Sequence, residues 1–523
     1  MNTVSVRASV RAMSSVVALS ACAPDKAPTD PTDRDSGTVD SGLGDAFDDT
    51  ALRAAIEADM AEFGLTAAAV AVLRDGKTVW AEGFGTLTPD GGGAVDADTR
   101  FRVASVTKSM TAIAMLQQSD GGCLSLTDRI TDHMRFEMAS APGMTDDMQI
   151  RQLLNHTAGI YDYVLPDPYD GDGQIEPFIN YVQAELPLLA PPGRMFNYSN
   201  TNYVLAGRVL EVCTGDYYRP YIDRSVLGPL GMTRTTFDTE TVASDDNYAM
   251  GITTVWPGAE GTDTVIDAET YAASHLWPGM GSWSSVRDIG RLAEFWMAGD
   301  DTVLSDALHA EMVAAQVSRE TGEADVDYGY GLDVRTGVNL SDGHYPARMV
   351  SHGGQLWGYG TFVYTLPDLG VGVVVMINRE YLFPMRTVEA ALDLGSFVEP
   401  TESPTPPVDP ATFAELAGTY THDVVMGDFI FSVVDDNLEV SIPSLDADGV
   451  PYTPRLTAVH PDNFKLESNG QVYDLTFIRD AEGKPEYVRG RWYVGKRVEG
   501  ALAPQVRPVP EAWFQAWPSR PGL

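Results

Sequence analysis

The chain is short of positive charge. Lysine and arginine number 35 against 74 aspartates and glutamates, a formal net charge of −39 over 523 residues, and a field of that sign repels the phosphate backbone that a nucleic-acid binder must neutralise. Nucleic acid is thereby excluded as a partner. Cysteine is scarcer still: Cys22, Cys123 and Cys213 are too few and too scattered for a disulfide framework or a Cys-x-x-Cys metal site. Two ordinary half-buried thiols are the favoured reading of Cys123 and Cys213, with pairing left open. The eight histidines form no His-x-His or His-Glu-x-x-His cluster, and Gly-x-Ser-x-Gly and phosphate-cradling glycine loops are missing. No metal and no cofactor is implied. Beyond the N-terminal leader, no run reaches the ~18 apolar residues of a membrane span. With 44% hydrophobic and 21% charged residues, the composition is that of a folded protein.

What is present comes in blocks. Arg7 and Arg11 stand ahead of a short apolar stretch, Met13 to Leu19, closed by the small residues Ser20 and Ala21; this order predicts an export signal over residues 1–21. Leu19-Ser20-Ala21-Cys22 resembles the lipobox of bacterial lipoproteins, which implies acylation of Cys22 and a membrane anchor in the cell envelope, on its periplasmic or outer-surface face. Residues 22–47, dominated by Asp, Pro, Thr, Ser and Gly, predict a solvated tether. A helix is expected over Thr50–Phe63, stopped by Gly64, then a hairpin of Leu65–Leu73 and Lys77–Phe84 about Asp75-Gly76. A second hairpin, Gly360–Leu366 with Val371–Asn378, precedes a helix over Pro384–Val398. Strands thus come from both ends of a domain spanning 48–398. Between them lies mixed helix and loop, including a polar stretch from Tyr161 to Pro177 placed to overhang a site. Residues 399–411 read as a proline-rich linker. Residues 412–523 read as an antiparallel all-β module, a small barrel, with strands at Phe429–Val434, Leu438–Ile442, Phe464–Leu466, Val472–Ile478 and Tyr487–Val494.

The chemistry concentrates in three stretches. Phe101 to Lys108 reads F-R-V-A-S-V-T-K and runs into an apolar helical segment, Ser109 to Leu116. Ser105 and Lys108 share a face at the helix start, so the amine reaches the hydroxyl and the helix N-terminus favours developing negative charge. A Ser-x-x-Lys arises by chance roughly once or twice in a chain this long. This one stands out because Lys77 and Lys108 are the two lysines between Asp48 and Pro400. The others are Pro192 to Tyr203, containing Tyr198-Ser199-Asn200, and Ser351-His352-Gly353-Gly354-Gln355. Taken singly, Tyr198 reads as a core aromatic and Asn200 as a turn residue.

Together the ordered motifs Ser-x-x-Lys, Tyr-x-Asn and His-Gly-Gly, with Ile150 to Ile160, Asn200 to Gly207 and Leu230-Gly231-Met232-Thr233, carry a resemblance. The chain resembles the serine β-lactamase and D,D-peptidase superfamily over Asp48 to Val398, in its class C β-lactamase-like branch with D-aminopeptidases, D,D-carboxypeptidases and esterases. The resemblance implies an α/β (α+β) fold: an antiparallel sheet flanked by helices plus a helical subdomain, with the active site between them. It implies that Ser105 attacks a carbonyl and forms an acyl-enzyme that water releases, with Lys108 and Tyr198 handling the proton. Which of the two is the base stays open; a phenol beside an ammonium is expected to fall from ~10 toward the working range. By the same resemblance Asn200 orients substrate or Lys108, and the backbone N–H groups of Ser105 and Gln355 form an oxyanion hole. Gly353 and Gly354 let the strand approach substrate closely.

His352 stands where β-lactamases and penicillin-binding proteins place the Lys of Lys-Thr-Gly. A mostly neutral imidazole attracts a carboxylate less strongly, which moves the expectation from β-lactams toward an amide or ester of a peptidoglycan-type D-amino acid peptide or small molecule. β-Lactam hydrolysis and a non-catalytic envelope-binding role are the alternatives. His156 is expected to be structural. Residues 412–523 resemble the lipocalin-like C-terminal modules of some relatives, which implies a part in substrate access or assembly.

Overall fold

Helix α1 (Thr50–Phe63) forms where Leu52, Ile56 and Asp59 recur at helical spacing on one buried face, and Gly64, at φ 61, ends it by donating its N–H to the Met60 carbonyl. It opens the computed structural model, which describes residues 48–163, 171–255, 262–268, 273–320, 326–468, 471–500 and 504–509. The expected leader, tether and Cys22 lie outside these residues, as does 164–170 of the expected overhanging loop.

Eight strands, β1 (Ala67–Arg74), β2 (Lys77–Gly85), β3 (Val317–Ser318), β4 (Val326–Tyr328), β5 (Asp333–Arg335), β6 (Met349–Leu356), β7 (Tyr359–Leu366) and β8 (Val371–Ile377), make one antiparallel sheet. Their order is β2-β1-β8-β7-β6-β5-β4-β3. The two predicted hairpins meet at its centre, β1 pairing with β8 from Ala68↔Ile377 to Leu73↔Gly372. Both strands are apolar and buried nearly throughout, because helices cover both faces. Val70 and Val72 pack with α1 and with Val388 and Leu392 of α5 (Met385–Leu392). Ala69, Ala71 and Leu73 face the other way, toward Ile289 and Leu292 of α4 (Val286–Ala298) and the core around α2 (Thr107–Asp120). Every residue of α2 from Thr107 to Leu116 is buried. It packs against α3 (Asn200–Thr214) in the helical part of the fold.

A second eight-stranded antiparallel sheet runs from Gly418 to Val498. Its interior is aromatic, with Tyr420, Phe431, Phe464 and Phe477 around a stacked Phe429–Tyr493 pair at 3.9 Å. The sheet curls until its edges meet: Leu456 N–H donates to Leu438 O at 3.0 Å and Val440 N–H to Pro454 O at 2.8 Å, which protects both edges. Leu189, Ala190 and Met195 from the first half of the chain belong to this aromatic core. Arg194 pairs with Glu486, and Arg489 donates to the carbonyls of Phe196 and Arg319. The segment that carries Tyr198 is thus gripped by the second sheet.

Three local expectations change. The strand expected over Tyr487–Val494 is two strands, β9 (Pro485–Gly490) and β10 (Tyr493–Val498), joined by a two-residue turn at Arg491-Trp492. The helix expected to reach Val398 stops at Leu392, where Asp393 adopts φ 49, and a 3-10 turn at Leu394–Ser396 follows. Cys123, just beyond α2, and Cys213, near the end of α3, are joined as a disulfide with Cα atoms 6.0 Å apart, where thiols were expected. Among the described residues no helix is long and apolar enough to cross a membrane.

Candidate active site

Ser105 sits in a single 3-10 turn, Ala104–Val106, that leads straight into α2. Ala104 before it has φ 46, a left-handed backbone that a non-glycine residue keeps only when its surroundings over-determine it. The surroundings are β6, which passes so close that a Cβ on Gly354 would run into Val103 O and stand 3.2 Å from Ser105 N. A side chain at Gly354 would push the Ser105 backbone aside. Gly353 faces the cleft and is exposed, and Gln355 lines it. The Gln355 Oε1 accepts the Tyr381 N–H at 2.7 Å, while its Nε2 has no partner among the described residues.

Lys108 is fully buried one turn further on. Its Nζ lies 3.1 Å from Ser105 Oγ, 2.6 Å from Asn200 Oδ1 and 2.8 Å from Gly279 O. Burial drives its pKa well below the ordinary amine value; the carboxylate of Asp162 opposes that fall and the guanidinium of Arg491 adds to it. In the neutral form the two N–H bonds serve Asn200 and Gly279, and the lone pair is left for the Ser105 hydroxyl. The arrangement can take a proton from Ser105 without first releasing one to water.

Tyr198 comes from the loop ahead of α3, its ring centroid 4.8 Å from Lys108 Nζ. The expected fall of its pKa is reversed. Burial pushes the phenol up, and its interaction with the Ser105 side chain and the nearby Arg491 guanidinium pull back only in part. Desolvation of the buried ring outweighs both. His156 packs against the Tyr198 ring at 4.2 Å and accepts the Ser199 N–H on Nδ1 at 3.2 Å.

His352 Nδ1 is 2.6 Å from Gly353 O and its Nε2 is 3.0 Å from Tyr328 OH. A carbonyl only accepts, so Nδ1 carries the proton and Nε2 accepts from Tyr328. Burial holds the imidazole pKa down to about 4. His352 therefore brings no positive charge near neutrality.

Ser105, Tyr198, Asn200, His352, Gly353 and Gln355 line a cavity of about 770 Å³, which Arg319, Arg335, Lys465, Arg489 and Arg491 share with two carboxylates, Asp333 and Asp474. Ion pairs take up four of these five cations: Arg319 with Asp333, Lys465 with Asp474, Arg489 with Glu320 and Arg491 with Asp162. Two of the site's residues escaped the sequence reading. Asp162, inside the expected loop, accepts the Asn200 N–H at 2.7 Å and its Nδ2 at 3.0 Å. Arg491, at the tip of the β9–β10 turn, donates to the other oxygen of Asp162. The signal available for Arg491 was Gly490 interrupting an alternating run, a mark of a turn; nothing in sequence ties Asp162 to Asn200. Cys22 lies outside the described residues.

A layered antiparallel sheet with a Ser-x-x-Lys serine at the head of a central helix defines the serine β-lactamase and transpeptidase class. The sequence matches the Beta-lactamase family over residues 52–395, and the chain belongs to that family of serine hydrolases. Protein flp of Staphylococcus aureus is 26% identical over 338 residues, 64% of this chain and 64% of its own length. The chain therefore spans just under two thirds of that relative. Among solved structures, SurE superposes with a TM-score of 0.62 at 23% identity, over 86% of this chain and 98% of its own. A D-stereospecific amidohydrolase from Streptomyces sp. does so with a TM-score of 0.54 at 26% identity, over 66% of this chain and 98% of its own.

Proposed function

We propose that this chain is an acyl-enzyme hydrolase that cleaves an amide or ester of a D-amino acid peptide or related small molecule, with Ser105 as nucleophile and the neutral amine of Lys108 as its base. The observation that carries this reading is the placement of Lys108 Nζ 3.1 Å from Ser105 Oγ with its other two contacts already made to acceptors. Ser105 Oγ bonds to the carbonyl carbon while its proton passes to Lys108. The tetrahedral oxyanion faces the backbone N–H groups of Ser105 and Gln355. Tyr198, held protonated, donates to the leaving nitrogen or oxygen as its bond to the acyl carbon breaks, and recovers a proton from Lys108. Water then attacks the acyl-enzyme, gives its proton back through the same pair, and frees the acid and Ser105.

A neutral His352 argues against reliance on a cation at that position. The D-stereospecific amidohydrolase at 26% identity supports an amide with a D residue. Export to the cell envelope with a lipid on Cys22 is part of the same reading, supported by the leader pattern and by the Cys123–Cys213 disulfide, a bond of oxidising compartments. Residues 48–523 treated with a fluorophosphonate or a fluorescent penicillin are expected to gain one adduct, located by peptide mass at Ser105 and missing in Ser105→Ala. A folded protein that takes no label would turn the reading to a non-catalytic binding role.

A further inference from the structure

Four polar contacts in series lead from the second sheet to the nucleophile. Arg491 Nε donates to Asp162 Oδ2; Asp162 Oδ1 accepts both the backbone N–H and the Nδ2 of Asn200; Asn200 Oδ1 accepts from Lys108 Nζ at 2.6 Å; and Lys108 Nζ is 3.1 Å from Ser105 Oγ. The series has one chemically allowed polarity. A carboxylate only accepts, so the Asn200 amide must turn its NH2 toward Asp162, and its oxygen is then the atom left for Lys108. The side chain of Asp162 is fully buried, 0% exposed, whereas that of Arg491 is 40% exposed and forms a wall of the cleft. A buried carboxylate costs free energy unless it is paired and hydrogen-bonded. Its partner charge comes from a turn 329 residues away in sequence.

We infer that the second sheet completes the active site: Arg491 is a positioning residue that, through Asp162 and Asn200, fixes the orientation of Lys108 toward Ser105. This rests on the reading of Ser105 and Lys108 as nucleophile and base. Without the guanidinium, the carboxylate of Asp162 acts unopposed on Lys108 and draws a proton onto the amine, which removes the lone pair that the hydroxyl needs. Little else around Lys108 would compensate. Arg319 and Asp333 form a 2.7 Å ion pair with each other. Burial keeps the neighbouring His156 and His352 neutral and the Tyr198 and Tyr203 phenols protonated.

The test is the second-order rate of fluorophosphonate labelling at Ser105 across pH 5–10, on the full folded chain, for wild type, R491Q, R491K and D162N. Expected for R491Q is a roughly tenfold or greater loss at pH 7, as one tenth or less of the amine stays neutral, with the acid limb moved to higher pH and the rate regained toward pH 10. R491K, which keeps the charge, returns the limb most of the way to wild type. D162N removes the attracting carboxylate and moves the limb to lower pH, whatever the loss of amplitude from a misoriented Asn200. An R491Q profile that matches wild type, or one lowered by the same factor at every pH, would overturn the inference, since loss of substrate contact or of packing scales the profile without shifting it. Absence of labelling in wild type would overturn the hydrolase reading as well, so the two failures are told apart by the wild-type arm.

Discussion

The two eight-stranded sheets of this chain are built on opposite plans. In the first, β1 and β8 are apolar on both faces and need helices on each side to shield them. In the second, alternate residues point into an aromatic interior and the rest toward water, as in Gln471–Leu475, and the sheet shields itself by curling. A layered sheet leaves helix starts and strand ends meeting along a cleft, which is where Ser105, Lys108 and the His352 to Gln355 strand come together. A curled sheet has nothing inside except core, so it meets the cleft with its outer face. Here it does so through the strand residues Lys465, Asp474 and Arg489 and through Arg491 at a turn. Ser105, Lys108 and Tyr198 lie on the layered half, and the curled half grips the segment that carries Tyr198.

That division can be broken or sharpened by substitution. The largest effect is expected at Lys108. Lys108→Met should lower kcat/KM about 10³-fold, the worth of a positioned general base, measured by steady-state hydrolysis of an activated ester; the exposed Lys77, paired with Glu294 at 3.0 Å, is the control from the same half. Met195 tests the grip of the curled sheet. Met195→Ala, at the junction with the aromatic core, should cost about 2–4 kcal/mol in denaturant unfolding and lower activity together with stability. His352 gives a pH signature. Its folded pKa of about 4 lies below the ~6.5 of an unfolded histidine, so the unfolded chain binds the proton first. Stability is full above ~6.5 and falls as pH drops toward 4, by on the order of 3 kcal/mol; His352→Gln should flatten that part of the curve. The smallest effect is at Lys77→Ala, under about 0.5 kcal/mol for an exposed ion pair, and a larger loss would mean that the layered half depends on its surface charge.

Much of the layered half was legible in the sequence because its signals are local. The helix expected over Thr50–Phe63 is α1, and two hairpins of continuous apolar text met as the central strands. The three motifs converged because each combines a reactive side chain with the backbone that places it. Ser105 heads a helix, and Gly354 clears the space beside it. What stayed hidden depends on tertiary burial or on partners far along the chain. The pKa direction of Tyr198 reversed because the phenol itself is buried, which spacing alone does not reveal. The Arg491 turn was read as the middle of a strand, since periodicity reports which residues face inward and says little about where a strand folds back. Asp162 has no motif, and its importance comes from the Asn200 amide it turns and the arginine it meets.

The hairpin of β9 and β10 acts as a ruler. Its two-residue tip carries Arg491 to Asp162, and each residue added to or removed from a strand moves such a tip by about 3.3 Å, more than a hydrogen bond tolerates. Exchange of this sheet with that of another chain would transmit function only when the hairpin lengths agree. A mismatch of one residue pair would leave two well-folded halves and a serine without its base in place.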